Sequence, residues 1–279
     1  MSLLSTISKP AMRPPIITIC GDAGTGKTSL AATFPKPIVI RAEDGLQSIP
    51  DATRPDAFPL LQKADDLWPQ LMALLQEDHD YKTLIIDSVS ACETLFVRAV
   101  MEMDGRAKSI NQALGGYGAG VNAVAAMHAR LRKAAGLLNE RKGMAIIFIS
   151  HADLEAVRPP DSDDYTRYSL RLMAKSLPPY VDDVDMVAFV RLVSALRGEE
   201  GDRKKVISNG DREVICHATA ASVSKNRYGI TDPLDFVPGE NPFAEVFKLG
   251  KAKPAAKRKA QPEPVEPEID PADYATEEN

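Results

Sequence analysis

The stretch Gly21-Asp22-Ala23-Gly24-Thr25-Gly26-Lys27-Thr28 decides the fold. It has the spacing of a phosphate-cradling loop, four residues between its glycines and then Lys-Thr. Before it, Ile16-Ile17-Thr18-Ile19-Cys20 reads as a buried strand. After it, Ser29-Leu30-Ala31-Ala32-Thr33-Phe34 reads as a helix. Glycines let such a loop curl so that backbone N–H groups converge on phosphate oxygens. The positive end of the following helix faces the same pocket. The residues expected to hold the phosphates are Gly21, Asp22, Ala23, Gly24, Thr25, Gly26, Lys27, Thr28 and Ser29. Lys27 reaches the β- and γ-phosphates, and the Thr28 hydroxyl is placed to bind Mg²⁺.

Working outward, Leu84-Ile85-Ile86 ends in Asp87-Ser88. A carboxylate at the carboxyl end of a buried parallel strand points into the crevice where ligands bind. Asp87 is therefore expected to hold Mg²⁺; capping the helix over 89–103 is a compatible second use. The residue after the acid is Ser88 rather than a water-activating Glu, so a base must come from elsewhere. Glu43, just past the strand Pro37-Ile38-Val39-Ile40, is the candidate, with Asp44 as its substitute. Either acid could instead be a solvated turn residue. Another run, Ala145-Ile146-Ile147-Phe148-Ile149-Ser150, delivers His151 to the same edge. There it could sense a γ-phosphate and pass the signal onward, or simply bond to nearby backbone.

Strand-like runs recur at 16–20, 37–40, 83–87, 145–150, 184–193 and 212–224, with helical patterns at 66–77, 89–103 and 119–142. In the last, Val121, Val124, His128, Leu131, Ala135 and Leu138 share one face. Alternation of strands and helices predicts an α/β fold: a mostly parallel central sheet flanked by helices, with late antiparallel strands. Residues 1–15 read as a lead and 16–248 as one core. The segment 249–279 reads as a disordered tail: five basic residues lie in 251–259 and seven acidic ones in 263–278.

Composition narrows the function classes. No apolar run approaches the ~20 residues of a membrane span, and no signal-peptide core opens the chain. Cys20, Cys92 and Cys216 are isolated, with no metal or disulfide spacing, which fits a reducing cytoplasm. The net charge of −5 confines any nucleic-acid surface to a local patch. Two long segments, read as following strands on the ligand edge, carry such residues. In 104–120 they are Arg106, Lys108 and the Gly-flanked Tyr117; in 152–176 they are Arg158, Tyr165, Arg167 and Tyr168. Cations interleaved with rings suit a single nucleic-acid strand, and a pair of lids over the nucleotide is the alternative.

Taken together these pieces resemble the RecA-type recombinase core across about 16–238. The order of the quoted pieces is that family's order, ending in Ser224-Lys225-Asn226-Arg227-Tyr228-Gly229. A nearer likeness is to the small phage RecA-like single-strand annealing proteins, the RecA-core branch of the Sak family. It rests on Gly116-Tyr117-Gly118, the His after the fourth strand, Tyr165-Thr166-Arg167-Tyr168 and the Lys-Asn-Arg element. The resemblance implies an ATP-hydrolysing protein with Mg²⁺, with Glu43 as base and His151 in a sensor place usually held by Gln. It implies that Lys225 and Arg227 reach a neighbouring subunit's ATP, hence a ring or filament of this chain. Single-stranded DNA is the implied partner. The tail, for its part, could recruit a single-strand binding protein, mimic DNA with its acidic half, or serve as a solubilising end. If the protein is phage-encoded, the setting is a bacterial host's cytoplasm. Separate DNA-binding domains of the full-length recombinase are absent from this sequence.

Two other functions share the loop: a nucleotide kinase, with Arg197 to Lys205 as its lid, and an ATP-dependent binding module that does not hydrolyse. A GTPase would want an Asn-Lys-x-Asp reader, which the chain lacks.

Overall fold

Each apolar run becomes a strand because its side chains alternate between two covered faces. We describe a computed structural model covering residues 3–9, 12–197 and 205–248. In β1 (Ile16–Gly21) every residue is buried. Ile16 and Cys20 face one core, Ile17 and Ile19 the other. The same split runs through β2 (Pro37–Arg41), β4 (Thr83–Asp87) and β5 (Ala145–Val157). Helices α2 (Leu67–Gln76), α3 (Val89–Met103) and α4 (Ala119–Lys142) cover the first face. The short α1 (Lys27–Ala31) and the chain near Phe236 and Phe243 cover the second.

The remaining elements are β3 (Asp56–Ala57), β6 (Tyr165–Leu170), α5 (Pro178–Val181), β7 (Met186–Arg197), β8 (Lys205–Ile215), β9 (Lys225–Asn226) and β10 (Leu234–Asp235). The sheet order is β10-β8-β7-β1-β5-β4-β2-β3. From β7 to β3 the strands are parallel, while β8, β9 and β10 join antiparallel. This is the expected α/β P-loop NTPase fold, with its antiparallel strands late in the chain. The order puts β5 between β1 and β4, so three strands carry polar residues to one rim.

Three local expectations need correction. The strand at 145–150 runs on to Val157, and Ala152 to Val157 pair antiparallel with Leu170 to Tyr165. Much of 152–176 is thus a hairpin projecting past the sheet, its two strands joined by residues 158–164. The last long strand is 205–215 rather than 212–224, and 216–224 lies outside any strand. Segment 104–120 follows helix α3 instead of a strand. It is folded, with the Asp104 carboxylate accepting from the backbone N–H groups of Arg106 and Leu114. The supposed lid tip at 198–204 and the tail at 249–279 lie outside the described residues. Among the described residues no helix is long and apolar enough to cross a membrane.

Candidate nucleotide site

The loop after β1 turns on two glycines with positive φ, Gly24 (77°) and Gly26 (93°). Gly21 is required for a different reason. A Cβ there would lie 2.3 Å from the Val190 carbonyl oxygen on β7, so only glycine lets the strands pair at that level. Lys27 is nearly buried, and its Nζ donates to the Asp22 carbonyl at 2.8 Å, closing the loop on itself. Burial pushes the Lys27 ammonium below its usual range, while nearby Asp87 and Glu43 hold it up. The lysine therefore sits in a field of acids beside the loop.

Strand register brings the acids together. Arg41 on β2 pairs with Asp87 on β4, and the Asp87 carbonyl accepts from the N–H groups of Ala42 and Glu43. The Asp87 side chain is almost fully buried, and its Oδ2 accepts from Thr28 Oγ1 at 2.8 Å. The α3 cap falls to Ser88, whose side chain accepts from the Ala91 N–H. That leaves the Asp87 carboxylate free for the rim. The Asp87–Ser88 peptide is cis. Burial pushes the Asp87 carboxyl up to about 6; the Thr28 hydrogen bond opposes this and Glu43 adds to it.

Glu43 is held by His151, with Nε2 at 3.1 Å from both carboxylate oxygens. That bond is the main reason the Glu43 carboxyl stays below its usual range, against partial burial. His151 pairs with Gly21 across β5 and β1, so it stands between the loop and Asp87. Two serines fix it: Ser90 Oγ accepts from the His151 N–H and lies 3.1 Å from Ser150 Oγ. Sequence reasoning found neither the His151–Glu43 pair nor the serines. Only strand order places residues so distant in the chain side by side. Asp44, the substitute base, is instead bonded to Arg41 and Gln47 at the surface.

Not every named residue joins this cluster. Lys225 donates to the Asp182 carbonyl, and Arg227 pairs with Asp185 at 3.3 Å, beside Arg13. Asp185 also accepts from the Ile16 N–H, where β1 begins. These two cations therefore sit at the amino rim, about 16 Å along the strands from Gly21. Among the nucleic-acid candidates, Tyr117 is fully exposed, on a run from Leu114 to Gly118 whose residues all have positive φ. Arg106 and Lys108 are exposed, as are Tyr165 and Arg158, the latter paired with Asp164. Arg167 is paired with Glu155, and Tyr168 stacks on Phe189, so both are engaged within the chain.

Other titratable groups are simply buried in the packing. Burial pushes the Cys20 and Cys92 thiols up to about 12 and His128 down to about 3. The His128 ring bonds the Tyr180 hydroxyl at 2.8 Å inside the α4 core. A family model described as an AAA domain matches residues 13–228, which takes in every rim residue named above. No curated protein matches the chain.

Proposed function

The chain belongs to the AAA domain family, a P-loop nucleotide-binding family, and from that premise we propose that it binds and hydrolyses ATP at the β1–β4 rim, coupled to single-stranded DNA. The observation that carries the proposal is the convergence of Lys27, Thr28, Asp87, Glu43 and His151 from four elements, with Thr28 and Asp87 already bonded. A buried carboxylate crowded by a second carboxylate and partnered by one hydroxyl is the donor set a hard divalent cation takes. Thr28 and Asp87 would hold Mg²⁺, which when bound neutralises phosphate charge.

The step is attack of water on the γ-phosphorus. The new bond is P–O from water, the bond broken joins γ-phosphorus to the β–γ bridging oxygen, and ADP carries away that electron pair. Glu43 takes the water's proton. Lys27 leaves the Asp22 carbonyl for the phosphates. His151 holds Glu43 until a γ-phosphate competes for its Nε2, so arrival of the triphosphate frees the base. In this scheme His151 both senses the nucleotide and restrains the reaction.

The finer reading is a RecA-like annealing or recombination protein of the phage type. Support comes from Tyr117, presented to solvent on left-handed backbone that side chains otherwise avoid. Further support comes from the β5–β6 hairpin, which continues from His151 beyond the sheet. Lys225 and Arg227, too far from their own loop to act in cis, suit a head-to-tail oligomer in which they meet the neighbour's phosphates.

The test is phosphate release with and without single-stranded DNA, for wild type, Lys27→Ala and Glu43→Gln. The proposal expects DNA-stimulated release in wild type and none above background in either variant. Transfer of phosphate to a nucleoside monophosphate would instead identify a kinase. ATP binding with no release from wild type would leave a binding module.

A further inference from the structure

Arg212 differs from other arginines of this chain. On the paired strand Arg191 bonds its own cross-strand partner Glu213 at 2.6 Å, and Arg13, Arg41, Arg167 and Arg227 each have an acid. The Arg212 Nε is buried and has no hydrogen-bond partner. Burying a guanidinium N–H without an acceptor is unfavourable, so the position calls for one.

Its place in the fold says where the acceptor comes from. Val190 on β7 pairs with Val214 on β8 and lies level with Gly21 on β1. Arg212, opposite Leu192, is two residues further toward the carboxyl rim, beside the phosphate loop. Its backbone is fixed there, since the Phe236 N–H donates to the Arg212 carbonyl at 2.9 Å. A Cβ on Gly26 would lie 3.7 Å from the Arg212 Nε and 3.0 Å from the Phe236 ring. The side chain thus runs against the loop at the residue before Lys27.

We propose that Arg212 is a further nucleotide-binding residue, whose guanidinium takes a phosphate oxygen of the nucleotide held by its own chain. The inference rests on the nucleotide site argued above and adds to it a cation supplied in cis from β8. A planar guanidinium presents paired donors that match phosphate oxygens, which a point charge does not. The phosphate supplies the acceptor that the buried N–H lacks. The competing role is mechanical: the arginine's aliphatic stem covers Phe236 and the loop, and its charge is incidental.

Binding of a fluorescent ATP analogue, with ADP and AMP as competitors, separates the two roles when read beside the melting temperature without nucleotide. Arg212→Met keeps the stem and removes the charge. The proposal expects it to melt like wild type yet bind the analogue about tenfold more weakly, with Arg212→Lys between them. Wild-type affinity in Arg212→Met overturns the proposal, whatever its melting temperature. If Arg212→Met melts early and binds weakly, Arg212→Lys decides. Wild-type melting with affinity still reduced supports recognition by the fork, and full affinity overturns it. Lys27→Ala runs alongside. No binding by wild type itself would remove the nucleotide site and this inference together; weak binding by Lys27→Ala with unchanged Arg212→Met removes Arg212 alone.

Discussion

At Asp87, burial and the charge of Glu43 raise the carboxyl to about 6, above the ordinary ~3.9 of an unfolded chain. The native state then holds this proton more tightly than the unfolded state does. Its contribution to stability therefore declines as pH rises from about 4 through about 6, and is constant above. Magnesium competes with the same proton. We expect the rise in melting temperature produced by MgATP to be small at pH 5 and full at pH 7.5. Asp87→Asn should remove that pH dependence and raise the nucleotide-free melting temperature at pH 7.5. Thermal melts at the two pH values check both. Glu43 makes a separate prediction. Glu43→Gln keeps a bond to His151 but cannot take a proton, so phosphate release should fall by about 10²-fold or more while ATP affinity holds. A fall in affinity of the same size would make Glu43 a binding residue instead.

Among the elements, the strand–loop–helix unit carries the site, and its glycines can be tested singly. Gly21→Ala drives a methyl against the Val190 carbonyl, so β1 and β7 must part. The expected loss is about 1–3 kcal/mol in urea denaturation. An unchanged midpoint would mean that the strands are not held at that spacing. At the 104–120 segment, Tyr117→Ala should cost single-stranded DNA about 1–3 kcal/mol of affinity, measured by anisotropy of a labelled oligonucleotide, with no change in melting. These contrasts also explain what the sequence could show. The loop and its strand were legible because a phosphate-loop pattern fixes residue types at short spacing, and Asp87 because it ends a buried apolar run. The two-sided burial of β1, β2 and β4 was legible as continuous apolar runs. The β5–β6 hairpin was not, because the polar residues on its exposed face look like loop composition. The His151–Glu43 pair was not either, since it depends on which strands lie adjacent. Arg167 and Tyr168 looked like free ligands because nothing local announces Glu155 or Phe189.

For the whole molecule, the proposed reaction draws on both rims of the sheet. The carboxyl rim offers the phosphate loop and the acids; the amino rim offers Lys225 and Arg227, about 16 Å away. If hydrolysis needs both, subunits must stack rim to rim. Arg227 is largely exposed, so Arg227→Ala should fold and bind ATP yet lose release. Mixing Arg227→Ala with Lys27→Ala should restore part of the activity, because a hybrid interface joins an intact loop to an intact arginine. No recovery at any ratio would place Arg227 outside the reaction. The most direct test of the central claim is a crystal structure with Mg²⁺ and a non-hydrolysable ATP analogue. The account predicts phosphates within the Gly21–Thr28 loop, Mg²⁺ on the Thr28 hydroxyl beside Asp87, and Glu43 facing the γ-phosphate. An analogue bound elsewhere, or a filled loop with Asp87 and Glu43 turned away, would contradict it.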